Sequence, residues 1–183
     1  MKHYTNLQGE SITLGTAVQR GGEAEVFRVA HNPSLVAKIY HKITGDYQSK
    51  LQHMIGNPPA DPTLKQGHIS IADILFGLHN QFAGFLMPYI TGTRHVMDVY
   101  HPKTRRQVCP MFNWRYLHYT AANLSSAVAA LHARGYCIGD INERNILVKD
   151  TAMVTLIDTD SFQVFSSAGM FRCLVGVPEF TPP

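Results

Sequence analysis

One run of sequence limits the possible folds more than any other. From Asn113 to Gly135 the chain reads NWRYLHYTAANLSSAVAALHARG. It places Leu117, Ala121, Leu124, Val128 and Leu131 at alternating steps of four and three, the spacing of one helix face. Asn113 stands where an N-cap is wanted and Gly135 where a helix can stop. Behind the helix come the loop IGDINERN, a short apolar strand ILV, a KDTA turn, a second strand MVTLI, and then DTD.

The first forty residues have a different character. SITLGTAVQ, AEVFRVAH and SLVAKIYH read as strands separated by the turn sequences RGGE and HNPS. A helix is predicted around GDYQSKLQHMIG, and the prolines of NPPADP forbid its continuation. Two more strands fill roughly Asp73 to Ile90, and a turn at His79, Asn80 and Gln81 breaks that apolar stretch too early for a membrane span. Strands with one helix followed by a long helix with short strands imply two lobes, 1–90 and 91–183, joined near MPYITG.

Composition narrows the class. The 183 residues suit one domain with a proper core. Apolar residues at 45% against 16% charged exclude a disordered chain, and a net charge of +3 is too mild to argue for nucleic acid. Cys109, Cys137 and Cys173 are far apart and match no zinc spacing, which suits free thiols in a reducing cytosol. The start lacks a signal-peptide core, and no membrane association is expected. The last residues, GVPEFTPP, close no element, so a longer native protein is expected.

Several residues could carry chemistry, and each has a plainer reading beside it. VQRGGEAEVFRV could lay backbone N–H groups over phosphate, or be an ordinary Gly-Gly hairpin. Lys38, flanked by apolar residues, could hold phosphate as a point charge or simply face solvent. Asp140 can orient or deprotonate a hydroxyl, and the Asn145 carbonyl can bind Mg²⁺, but both are also common turn residues. Asp158, with Asp160 beyond it, ends an apolar strand where a metal ligand or a turn aspartate would stand. The histidines show no metal-binding spacing, and HPKTRR reads as a solvated basic loop.

Together and in order, these pieces resemble the protein kinase family. The resemblance runs from about Thr13 to the final residue and rests on GGEAEVFRV, LVAK, GDINERNILV and LIDTDSFQV. More narrowly it is similar to a divergent bacterial branch of eukaryotic-like serine/threonine kinases. It implies an α+β, two-lobed fold. An antiparallel five-stranded sheet with one helix would pack over an incomplete, mostly helical lobe, with ATP and Mg²⁺ between the lobes.

The implied roles follow position by position. Lys38 matches the lysine that holds the α- and β-phosphates, and Asp140 the catalytic aspartate. Asn145 and Asp158 match the two metal ligands. Gly21 and Gly22 lie in the phosphate-covering loop. Val26 and Ala37 would cover the adenine from above and Leu147 from below. Met87 takes the gatekeeper place, while Pro88 and Ile90 would offer a C=O and an N–H to the base. VGVPEFTPP resembles the end of an activation segment, with Ser166, Ser167 and Thr181 as hydroxyls in that region.

The departures are equally specific. Gln19 and Ala24 replace two glycines of the phosphate loop. Ile138 and Gly139 replace the histidine and arginine before the catalytic aspartate, which removes the usual partner of a loop phosphate. Asn142 replaces a lysine that steadies the γ-phosphate, a task Arg144 could take over. DTD replaces DFG, and the first helix has no glutamate for Lys38, leaving Gln48 or Gln52 as neutral partners. The resemblance thus implies ATP-dependent phosphoryl transfer to serine or threonine hydroxyls of a protein substrate. The rivals are a nucleotide-binding pseudokinase scaffold and, further off, a small-molecule kinase of the aminoglycoside type.

Overall fold

The computed structural model describes residues 3–43, 45–58, 71, 73–167, 169–173 and 176. It divides into two compact units, Met1–Asn57 with Ser70–Ile90, and Pro58–Ile69 with Thr91–Pro183.

The first unit holds strands β1 (His3–Thr5), β2 (Ser11–Arg20), β3 (Ala24–Val29) and β4 (Asn32–Tyr40), helix α1 (Tyr47–Gly56), then β5 (Asp73–Phe76) and β6 (Phe82–Pro88). All pairings are antiparallel, and the order β1-β2-β3-β4-β6-β5 closes on itself through Thr5 opposite Phe76. The expected five-stranded sheet therefore has one more member. β1 is only three residues with a single inward apolar side chain, too short for alternation to reveal. That side chain, Tyr4, packs inside the barrel with Val29, Ala37, Leu75 and Leu86.

Two local features set the barrel's shape. The β5–β6 hairpin turns through His79 and Asn80, both at positive φ (59° and 57°), as a type I′ turn demands. On β6, Gly84 lies where any Cβ would collide with the Lys38 carbonyl of β4, so the two backbones approach closely only because glycine is there. Helix α1 buries Lys50, Leu51 and Met54.

The second unit contains β7 (Thr93–His95), α2 (Val96–Tyr100), α3 (Pro102–Val108), α4 (Trp114–Ala133), β8 (Tyr136–Cys137), β9 (Ile146–Lys149), β10 (Val154–Leu156), β11 (Gln163–Ser166) and β12 (Gly169–Phe171). Its strands form two small sheets, β10-β9-β7 and β12-β11-β8. HPKTRR is not a loop: Pro102 opens α3 and the His101 ring accepts from the Thr104 N–H, a start signal carried by an unusual cap.

Helix α4 occupies the predicted span, and the Asn113 side chain accepts from the Arg115 N–H at 3.0 Å. Its buried stripe is rotated slightly from the expected one. Thr120, Ala127 and Leu131 are buried, Leu117, Leu124 and Val128 are half-buried, and Ala121 is exposed. Thr120 can be buried because its hydroxyl donates to the Tyr116 carbonyl within the helix. Asn123 is held on the same side by donating to the Ala152 carbonyl at 2.9 Å. Below lies a core of Val99, Cys109, Phe112, Val148 and Ala152.

Candidate active site

In the first unit the strand registers decide which side chains share a face. Val26 stands opposite Lys38, Lys38 opposite Phe85, and Val36 opposite Met87. Directly paired residues project to the same side of a sheet, as do residues two apart along one strand. Val26, Val36, Lys38 and Met87 therefore lie together on one face of the barrel wall. Ala37 does not. It is fully buried inside the barrel, against Tyr4, Leu75 and Leu86. The expectation that Ala37 covers a nucleotide is corrected: adjacent strand residues face opposite ways, and Val36 is the residue on Lys38's side. Counting two back from the lysine would have found it.

Lys38 Nζ lies 5.9 Å from the centre of the Tyr40 ring, which in turn packs on Tyr47 of α1 at 4.7 Å. Of the proposed neutral partners on α1, Gln48 is half-buried and Gln52 is exposed. The charged residue that α1 buries is Lys50, which helical spacing alone does not single out.

The turn between β2 and β3 holds Gly21 and Gly22, both exposed. The Gly21 N–H donates to the Ala24 carbonyl, and the His41 ring contacts the Gly21 carbonyl at 3.0 Å. His41 thus braces this turn from the end of β4, a role not visible in sequence because the two are twenty residues apart. Beyond β6, the Tyr89 N–H donates to the Ser34 carbonyl, and the Arg28 guanidinium stacks 3.4 Å from the Tyr89 ring centre. Pro88 pairs with Leu35, and Ile90, half-buried, ends this unit.

In the second unit the loop between β8 and β9 fixes one carboxylate in detail. Asp140 Oδ2 accepts from Asn142 Nδ2 at 3.0 Å and from Asn145 Nδ2 at 3.1 Å. Asn145 Nδ2 also donates to the Asp140 carbonyl. The other carboxylate oxygen, Oδ1, is buried with no hydrogen-bond partner. A buried acceptor left unpaired costs free energy and marks a place where a donor is expected. Asn142 is itself held, its Oδ1 accepting from the Arg144 N–H at 2.9 Å as the cap of a 3₁₀ turn over Glu143–Asn145. Asn142 therefore takes a bracing part that its reading as a lost lysine did not foresee.

Asn145 and Asp158 are drawn together by the strands that carry them. β9 and β10 pair antiparallel, and the Ile157 N–H donates to the Asn145 carbonyl at 3.0 Å. Because Asn145 turns its amide N–H₂ toward Asp140, its side-chain oxygen points the other way. Asp158 follows at φ 58°, ψ 39°, a left-handed conformation uncommon for any residue but glycine. Its carbonyl accepts from both the N–H and the hydroxyl of Ser161. Thr159 and Asp160 are buried in the following turn. Leu147 lies half-buried on β9, beside Val148, which enters the core.

The Asn145 amide oxygen and the Asp158 carboxylate are hard oxygens, the donor type that could hold magnesium. Among the described residues no three His, Cys, Asp or Glu converge to hold a metal by themselves. Of the activation-segment residues, Ser166 and Ser167 are described, while Val177 to Pro183, with Thr181, lie outside the described residues. No helix among the described residues is long and apolar enough to cross a membrane.

Solved structures of known proteins carry the same fold. The ROP18 kinase domain in complex with AMP-PNP and sucrose superposes with a TM-score of 0.62 at 16% identity, covering 99% of this chain and 60% of that one. ROP2 from Toxoplasma gondii, described as a virulence factor with a protein-kinase fold and no enzymatic activity, gives 0.59 at 14% identity, covering 100% and 59%. The fold is thus that of protein kinases. In sequence, the protein kinase YegI of Escherichia coli K12 is 36% identical over 176 residues, 96% of this chain and 27% of that protein. A probable cAMP-dependent protein kinase catalytic subunit of Encephalitozoon cuniculi is 28% identical over 105 residues, 57% of this chain and 30% of that protein. No protein-family model matches the chain. The chain belongs to the protein-kinase-like proteins, as a divergent member. It spans about a quarter of the length of the curated YegI proteins it matches.

Proposed function

We propose that the protein transfers the γ-phosphoryl group of ATP, with Mg²⁺, to serine or threonine hydroxyls of a protein substrate. The unit over 1–90 is read as the N-lobe with the hinge, and 91–183 as a partial C-lobe. The observation that carries the reading is Asp140. One of its carboxylate oxygens is fixed by two asparagine amides, and the other is buried without a donor. A carboxylate held this way is suited to orient an incoming hydroxyl and accept its proton.

The other roles follow from chemistry and position. Lys38 holds the α- and β-phosphates as a point charge. Gly21 and Gly22 cover phosphate, and Val26, Val36 and Leu147 contact the base. Met87, Pro88 and Ile90 form the gatekeeper and hinge. Asn145 and Asp158 hold Mg²⁺, which neutralises charge on the phosphates when bound. The relatives named as protein kinases support a protein substrate. A bacterial, cytoplasmic setting is part of the same reading and rests on the Escherichia coli relative and on three scattered cysteines that suit a reducing compartment. Nothing in the charge balance favours nucleic acid or a membrane surface.

A second reading, a nucleotide-binding pseudokinase, is favoured by one specific observation. Helix α1 has no acid in its first turn, and the charged side chain it buries is a lysine. One experiment separates the two. Full-length wild type, Lys38→Ala, Asp140→Ala and Asp158→Asn are given Mg²⁺ and labelled ATP with a generic protein acceptor such as casein. Label transfer by wild type that Asp140→Ala abolishes is the expected result. Nucleotide binding that depends on Lys38, without any transfer, would establish the pseudokinase instead. Absence of nucleotide binding would remove both.

A further inference from the structure

We infer that Gly139 is a positioning residue, and that its lack of a side chain is what docks the chain after β12 onto the loop carrying Asp140. Gly139 has no left-handed backbone angle, so no turn geometry demands glycine there. Space does. A Cβ at Gly139 would overlap both the Cβ and the Sγ of Cys173 and would lie 2.8 Å from the Ser161 carbonyl oxygen. Real side chains do not make such contacts, so three segments meet here only because the position is bare.

The small sheet explains why they meet. β8 pairs antiparallel with β11 through Gln163 opposite Cys137, and β12 pairs antiparallel with β11 on its other side. β8 and β12 therefore run in the same direction and leave the sheet at the end where β11 begins. Gly139 lies two residues beyond β8, Cys173 two residues beyond β12, and Ser161 two residues before β11. The sheet thus delivers the residue before Asp140, the turn after Asp158 and the chain after β12 to one point.

The consequence rests on the phosphoryl-transfer reading. A kinase-like chain with an arginine at this place can tie its following segment by charge. This one ties it by contact, and the tie needs no phosphate. The contact sets how far the segment after β12 stands from Asp140, and hence the space a hydroxyl substrate has in front of Oδ1.

The test uses the full-length protein. In Gly139→Ala the added methyl must push Cys173 and Ser161 away, and kcat should fall about a hundredfold, the scale of a misplacement near 1 Å. The KM for ATP should stay within about twofold, since Lys38 is untouched. Alkylation of Cys173 by iodoacetamide, read by mass spectrometry with Cys137 and Cys109 as internal references, should become faster. Removing the clashing side chain in Gly139→Ala with Cys173→Gly should restore kcat at least about tenfold, the Ser161 contact accounting for the remainder. Should Gly139→Ala fail to fold, Cys173→Leu presses the same contact from the other side and should give the same kcat loss.

Wild-type kcat in either Gly139→Ala or Cys173→Leu would overturn the inference, as would unchanged Cys173 alkylation in a folded Gly139→Ala. Were wild type itself inactive, the function proposed above would fail, while the alkylation rates would still report whether the packing exists.

Discussion

At the scale of single residues, the loop around Asp140 is the most informative part of the molecule. Asp140 and Asn145 were legible in the sequence because their spacing and their place after a long helix match a known order of motifs. The part played by Asn142 was not legible. Set against the kinase pattern it is a lost lysine, but its two side-chain hydrogen bonds make it a brace for Asp140 and for the following turn. Asn142→Ala should therefore lower kcat about tenfold or more, because Asp140 keeps only one of its two amide donors. The KM for ATP should change little. An Asn142→Ala enzyme with wild-type kcat would show that the brace is idle. Ala37 and Val36 teach a related lesson. Motif likeness put Ala37 beside Lys38, whereas the period of two along a strand puts Val36 there.

At the scale of elements, long periodic segments were readable and short ones were not. Helix α4 announced itself through its stripe and its asparagine cap. The three residues of β1 carry no period, and only closure of the barrel reveals them. The basic run HPKTRR misled because charge suggests solvent, while Pro102 and His101 specify a helix start. The β5–β6 turn offers a direct check on this level of the fold. His79 and Asn80 both sit at positive φ, which glycine adopts without strain and asparagine tolerates better than histidine. Replacing them together, His79→Asn with Asn80→Gly, should stabilise the chain by about 1 kcal/mol. The urea midpoint of the double variant reads this directly, and a midpoint below that of wild type would argue against a type I′ turn.

At the scale of the whole molecule, one buried phenol links stability to alkaline pH. Tyr136 is fully buried between α4 and β11, and burial pushes its pKa up to about 12, with the Arg134 charge acting against the shift. In the unfolded chain the same group titrates near its ordinary 10.0. Between those values the unfolded chain gives up the proton and the folded one keeps it. The unfolded state then binds fewer protons, so stability falls as pH rises through that window and is fully present below it. Tyr4, also raised by burial, acts in the same direction. Urea midpoints of wild type should thus drop from pH 9 to pH 11, and the drop should be smaller in Tyr136→Phe. Equal drops in the two proteins would place the alkaline sensitivity elsewhere.

The left-handed backbone at Asp158 bears on how such a chain is dissected. Among the described residues four non-glycine residues take positive φ, and the one alanine among those four, Ala152, is fully buried in a packed core that holds it there. Asp158 is only half-buried, and its carbonyl is held by the Ser161 N–H and hydroxyl. Alanine placed at 158 would lose a carboxylate and also meet a backbone cost of about 1 kcal/mol that aspartate and asparagine largely escape. Asp158→Asn should melt like wild type yet lose Mg²⁺-dependent transfer, whereas Asp158→Ala should melt lower as well. An alanine scan would merge conformational preference with chemistry at this position, and only the isosteric amide separates them.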